Sequence, residues 1–246
     1  MEAKLMEGTV LNEKQAQAVV DGLLNGYKEY LELRREMRNR LKVSAAFAFT
    51  RGNFIDDGIA KNVSDFMEYK KKTAGQSWQY LEFTLNKSKP SLLIIKNDFR
   101  LQQTFSKNKQ EKTSQYLSDY AKINEAKLDS IYKGERELTN SFVQLALPLA
   151  EDAISEKDLT QYDSFYIIVY RTSAEKVIES VSLVLPDDEI KELHEIQNLS
   201  SYLQSSTVNI EEDEYSAVVG DEEIVAGNLY DYPYTVPKEE KEASDE

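Results

Sequence analysis

Cysteine is absent from this chain of 246 residues, and histidine occurs once, at His194. The first absence excludes disulfides, thiolate metal centres, iron–sulfur clusters and cysteine nucleophiles. The second excludes any multi-histidine metal site and would force a Ser–His–Asp triad to use His194. That residue lies between Glu192 and Glu195 in a pattern that reads as a helix, and no Gly-x-Ser-x-Gly elbow occurs anywhere. The expectation for His194 is a solvent-facing side chain. Glycine is scarce at 9 residues, with neither a phosphate-binding loop nor a Gly-x-Gly-x-x-Gly turn, so a nucleotide cradle is not expected. No apolar run approaches the roughly 18 to 20 residues that span a bilayer. The longest, Phe165–Tyr170 and Ser91–Ile95, are strand-sized. Met1–Val10 carries Glu2 and Glu7 and no apolar segment of the secretory kind, so a cytoplasmic protein without membrane partners is expected.

What the chain has in excess is negative charge, and its placement is uneven. The formal net charge is −14. Glu211–Glu246 hold 13 acids against 2 lysines, while the first 210 residues hold 31 acids and 28 bases. The body is close to neutral and the end of the chain carries the acidity. The domain expectation follows: residues 1–210 as one globular unit, with a subdivision near 134–160 as the alternative, and 211–246 as an acidic, partly disordered tail. Lysine outnumbers arginine 22 to 8. That bias is associated with AT-rich genomes, and it suggests a bacterium, a phage or a mobile element as the source.

Apolar periodicity then sketches the elements. Asn12 has the side chain of a helix N-cap, and Ala16 to Leu41 follow helical spacing over 13–42. A helix of that length is expected to bend or break near Gly22 or Gly26. Asn53 reads as the cap of a second helix with Asp56 at the capping-box position, and Phe54 to Met67 as its apolar face through about Lys70. Trp78–Asn86 alternates, Ser91–Lys96 is continuously apolar, and the two read as a hairpin. A third helix is predicted over about 111–132, a strand over Asn140–Leu147 and a helical turn over Ser155–Gln161. Ser164–Thr172 and Lys176–Leu185 form a second hairpin, and a fourth helix runs from Asp187 or Asp188 to about Gln204. The sum is an α+β fold: an antiparallel sheet of about five strands, two hairpins plus one strand, with four main helices packed on one side.

Three constellations carry chemistry. Arg34, Arg35, Arg38 and Lys42 share one side of the first helix, where cations could track a phosphate backbone or simply complement the helix dipole. Lys70–Lys72 and Lys107–Lys112 add basic clusters. Tyr230, Tyr232 and Tyr234 lie among the tail's acids as docking aromatics for a partner. Asp56, Asp57, Glu82 and Asp98, with Lys96 nearby, are the carboxylates to consider for a magnesium-dependent hydrolase, and the Glu-x-Lys triplets fall elsewhere, as at Glu125–Lys127. Since no set forms a full catalytic group, neither a cofactor nor a metal is expected. The leading expectation is a non-enzymatic regulatory protein working through a protein partner. A nucleic-acid binder using the basic helix face is the first alternative, and a carboxylate-metal hydrolase the second.

Overall fold

A computed structural model of the chain describes residues 9–74, 78–106, 115–125, 127–128, 159–187 and 192–219. The predicted strand at 140–147 and most of the turn at 155–161 lie outside the described residues, as do Lys107–Lys112.

The fold is mixed α+β. Six strands are described: β1 (Met67–Ala74), β2 (Trp78–Leu85), β3 (Ser91–Asn97), β4 (Ser164–Thr172), β5 (Ile178–Pro186) and β6 (Leu193–Asn198). They lie in the sheet in chain order. Every neighbouring pair is antiparallel except β3 and β4, which run parallel. β3 and β4 have near-continuous apolar sequences because both faces are covered. Leu93, Ile95, Tyr166, Ile168 and Tyr170 enter one core with α1 (Glu13–Arg40) and α2 (Arg51–Val63). Leu92, Ile94, Phe165, Ile167 and Val169 enter a second core on the opposite face, with α3 (Asp98–Ser106) and α4 (Gln115–Ala121). Each fully buried large apolar side chain contributes roughly 1.5–3 kcal/mol.

Helices therefore cover both faces of the sheet, not one. The one-sided expectation failed because it paired the strands as independent hairpins and missed the parallel crossover from β3 to β4. Asn124, fully buried in the 3-10 turn Lys122–Asn124 that follows α4, fastens that crossover. Its amide donates to the carbonyls of Phe165 and Pro186 at 2.9 Å each and accepts from the Phe165 N–H at 2.8 Å.

Two predicted helices give way to edge strands. The second helix stops at Val63, and Met67–Ala74 becomes β1, paired with β2 along its whole length. Only Met67 of β1 is buried, so an edge strand bearing Lys70, Lys71 and Lys72 leaves no apolar signature to read. Leu193 and Ile196 are spaced as on a helix but sit on β6, packed against opposite cores. A register shift opposite Leu183 and Val184 interrupts the alternation there. Among the described residues of the predicted fourth helix, α5 (Ser201–Gln204) is helical, and His194 is a strand residue opposite Leu185.

Asn12 does cap α1, in a reciprocal capping box with Gln15. α1 runs unbroken past Gly22 and Gly26, because those glycines serve helix packing and not a bend. α2 begins at Arg51, so Asn53 lies inside it and Asp56 is released for another partner.

Candidate functional site

Two places gather polar side chains from distant parts of the chain. The first is the outer face of α1. Residues 17, 21, 28, 35 and 38 are spaced by four, seven, seven and three positions, which puts them on one side of a helix. The chain from Tyr202 onward runs along that side. Gln17 donates to the Tyr202 carbonyl at 3.2 Å, and Ser205 donates to Gln17 at 2.7 Å. Ser206 donates to Asp21 at 2.5 Å, and Lys28 to the Asn209 carbonyl at 2.7 Å. Then the acids arrive. α6 (Glu212–Tyr215) sets Glu214 3.8 Å from Lys28 and Asp213 4.0 Å from Arg35, and Arg38 donates to the Ser216 carbonyl at 2.7 Å.

This strap is held mainly by apolar anchors. Val208, Ile210 and Tyr215 pack on the first core, the Tyr215 and Tyr27 ring centroids are 6.4 Å apart, and Ala217 and Val218 are buried. Burying Val218 alone is worth roughly 1.5 kcal/mol or more. The Arg35–Asp213 pair, with both side chains about half exposed or more, contributes under about 1 kcal/mol. Charge here sets register and choice of sequence, and apolar burial sets strength.

The basic face expected from Arg34, Arg35, Arg38 and Lys42 is thus divided. Arg34 is buried and donates to the Ser44 carbonyl at 2.8 Å. Arg35 and Arg38 contact the strap. Lys42 lies beyond the helix end, exposed between Leu41 and Val43, which are themselves 40% and 83% exposed. The 3-10 turn that follows, Ala45–Thr50, buries none of its residues. Tyr230, Tyr232 and Tyr234 lie outside the described residues. The apolar residues Ala217–Val219, interrupting an acidic run, are the sequence signal that a tail segment docks on the body, and Ala217 and Val218 are buried there; that the basic side of α1 receives it has no local signal.

The second place is an opening inside the sheet. The β2–β3 ladder pairs Phe83 with Leu93, Thr84 with Leu92 and Leu85 with Ser91, and no β2 residue before Phe83 takes part in it. β2 nevertheless extends back to Trp78 and β3 on to Asn97. The Leu81 N–H donates instead to Asp56 Oδ2 of α2 at 3.0 Å. Burial raises the Asp56 carboxyl from 3.8 to about 6, against the opposing pull of the Leu81 N–H and of Lys96. On the other face of β2, buried Glu82 accepts a short hydrogen bond from Tyr120, whose hydroxyl is 3.1 Å from that of Tyr80. Burial and then Glu82 raise the Tyr120 hydroxyl above its ordinary value, and burial raises Tyr80 to about 12. Lys96 Nζ lies 5.4 Å from the ring centroids of both Tyr80 and Tyr116, a cation–π seat.

The four acids of the hydrolase reading do not converge. Asp57 pairs with Lys61 at 2.8 Å, Asp98 accepts from Gln102 at 3.3 Å, Asp56 serves Leu81 and Glu82 serves Tyr120. Among the described residues no three His, Cys, Asp or Glu side chains gather as metal ligands. Lys127, from the Glu-x-Lys triplet, donates to Asp163 at 3.1 Å, to Ser164 and to Tyr166 at 3.3 Å. A Ser–Lys pair is a nucleophile arrangement in general. Here Ser164 is fully buried and the ammonium is engaged by a carboxylate, so the pair closes the start of β4 without offering a nucleophile. Burial pushes the Asp163 carboxyl up, but Lys127, Ser164 and Lys89 together hold it below its ordinary value.

Tyr120→Phe tests the buried network. It leaves buried Glu82 without the Tyr120 hydroxyl that donates to it. The expected loss is about 1–2 kcal/mol of stability, read as a lower denaturant midpoint at unchanged m-value. Glu82→Gln should lose less, because an amide still accepts.

Among the described residues no helix is long and apolar enough to cross a membrane. Compared with family models, with curated proteins and with solved structures, the chain matches none.

Proposed function

We propose that this chain is a non-enzymatic regulatory protein that acts by binding a protein partner, with its acidic C-terminal portion tuning that contact. One observation carries the reading: the acidic portion begins as a strap gripping the basic half of α1 through Lys28, Arg35 and Arg38. A purely solvating tail would leave the body at Glu211, whereas this one buries Ala217 and Val218 against it. Each described candidate carboxylate is engaged by a separate protein donor, which favours a binding role over a hydrolytic one.

The test is affinity capture of the crosslinked full-length chain from the cells that make it, with mass spectrometry and nucleic-acid staining side by side. The expected result is a discrete protein partner whose recovery rises several-fold when the strap is loosened by Asp213→Lys. Recovery of nucleic acid alone would transfer the role to phosphate binding. Metal-dependent cleavage of a nucleic-acid substrate that is lost in Glu82→Ala would overturn the reading altogether.

A further inference from the structure

Resting on the interaction reading above, we infer that the face beneath residues 208–218 is a docking surface for an acidic, aromatic-bearing segment of a partner protein, for which the chain's own strap is the built-in stand-in. Two features of the seat select such a segment. Lys28, Arg35 and Arg38 offer three cations along one helix side, spaced over ten residues and so about 15 Å, and each meets an acid or a carbonyl of the strap. Beside them is an apolar seat, filled by Tyr215 against Tyr27 and by Val218 in the first core. A phosphodiester backbone would satisfy the cations but supplies nothing for the Tyr215 and Val218 positions. A plain hydrophobic helix would fill those positions and leave the cations bare. A run of acids leading into an aromatic residue, followed by small aliphatics, fits both, and Glu211–Val219 has that order.

The two ends of the strap are held differently. At its start it is tied by hydrogen bonds from Ser205 and Ser206 to Gln17 and Asp21. Further on Asp213 is 78% exposed, whereas Ala217 and Val218 are buried. A competitor therefore has to displace the apolar anchors, while Tyr202–Ser206 can stay attached. Because the strap is tethered, its effective concentration is of millimolar order, and a free segment competes only when it binds better or when the strap is weakened.

The probe is a fluorescein-labelled peptide with the sequence of Val208–Val219, titrated by anisotropy into the full chain. A strap-loosened full chain, Tyr215→Ala with Val218→Ala, should bind the peptide at least tenfold more tightly than the unaltered chain. Adding Arg35→Glu and Arg38→Glu should abolish the gain. If the loosened chain loses its fold by circular dichroism, Asp213→Lys alone replaces it, with a two- to threefold gain expected. Equal affinity for the unaltered and loosened chains overturns the inference. So does a gain that survives the arginine reversals, or an oligothymidylate of equal charge binding as tightly as the peptide. A doubling of mass at micromolar concentration without peptide binding would assign the face to a second copy and also overturn it. Should a protein still be captured in a manner indifferent to the arginine reversals, the interaction role stands and this location for it falls.

Discussion

Gly26→Ala should cost about 3–5 kcal/mol, enough to leave the protein largely unfolded at 25 °C or to abolish soluble expression. α1 and α2 cross with their backbones in contact. A methyl group at Gly26 would overlap the Phe54 carbonyl and come within 2.8 Å of the Ile55 Cα. Gly58 faces it from α2, where a Cβ would lie 2.5 Å from the Gly26 nitrogen and 2.6 Å from its Cα. Neither neighbour is the end of a flexible side chain, so relief requires the helices to separate. Separation would loosen Val19, Leu23, Tyr30, Ile55 and Ile59, all buried in the first core. Gly52→Ala is the matched control. Its Cβ would meet only the edge of Trp78 at 4.0 Å, and at a helical position alanine should gain up to about 1 kcal/mol. Denaturant midpoints of the two variants should therefore move in opposite directions. Equal shifts would mean that the helix crossing is not the constraint.

These glycines show where the sequence was legible and where it was not. Gly22 and Gly26 stood out as breaks in a helical pattern, and a break is the local meaning of glycine. Their actual role belongs to a contact with Gly58, more than thirty residues away, which no periodicity encodes. The same division runs through the fold. Elements with buried faces were readable: α1 from its apolar spacing and Asn12 cap, β2 from its alternation, β3 and β4 from their continuous apolar runs. The edge strands were not, since β1 is almost wholly exposed and β6 changes phase at a register shift. Of the site residues, Arg35 and Arg38 were readable as a basic face because helical spacing is local. That Arg34 turns inward to Ser44, and that an acidic strap covers its neighbours, depends on contacts across as many as 178 positions of chain.

Asp56 was likewise singled out, as a capping-box acid and as one of the hydrolase carboxylates, and its real position leads to a second large effect. Its carboxyl is the acceptor that replaces a missing rung of the sheet, and burial sets its pKa at about 6 instead of 3.8. The folded protein therefore holds this proton more tightly than the unfolded chain. The sign follows from linkage: between about pH 4 and pH 6 the native state binds more protons, so stability falls as pH rises through that window. Below pH 4 both states are protonated and the contribution is complete; above pH 6 the native state carries a buried carboxylate that Lys96 and the Leu81 N–H only partly offset. A shift of about two units corresponds to nearly 3 kcal/mol, and partial solvent access reduces that to about 2 kcal/mol. Asp56→Asn keeps an oxygen for the Leu81 N–H and removes the charge. It should stabilise the protein by about 2 kcal/mol at pH 7 and have almost no effect at pH 4, as read from denaturant unfolding at the two values. Asp56→Ala discards the acceptor as well and orphans the Leu81 N–H, so it should gain less than the asparagine or lose outright at both pH values. A loss of stability in Asp56→Asn at pH 7 would mean instead that the carboxylate's attraction to Lys96 outweighs its burial, and that the opening between β2 and β3 is closed by an ion pair.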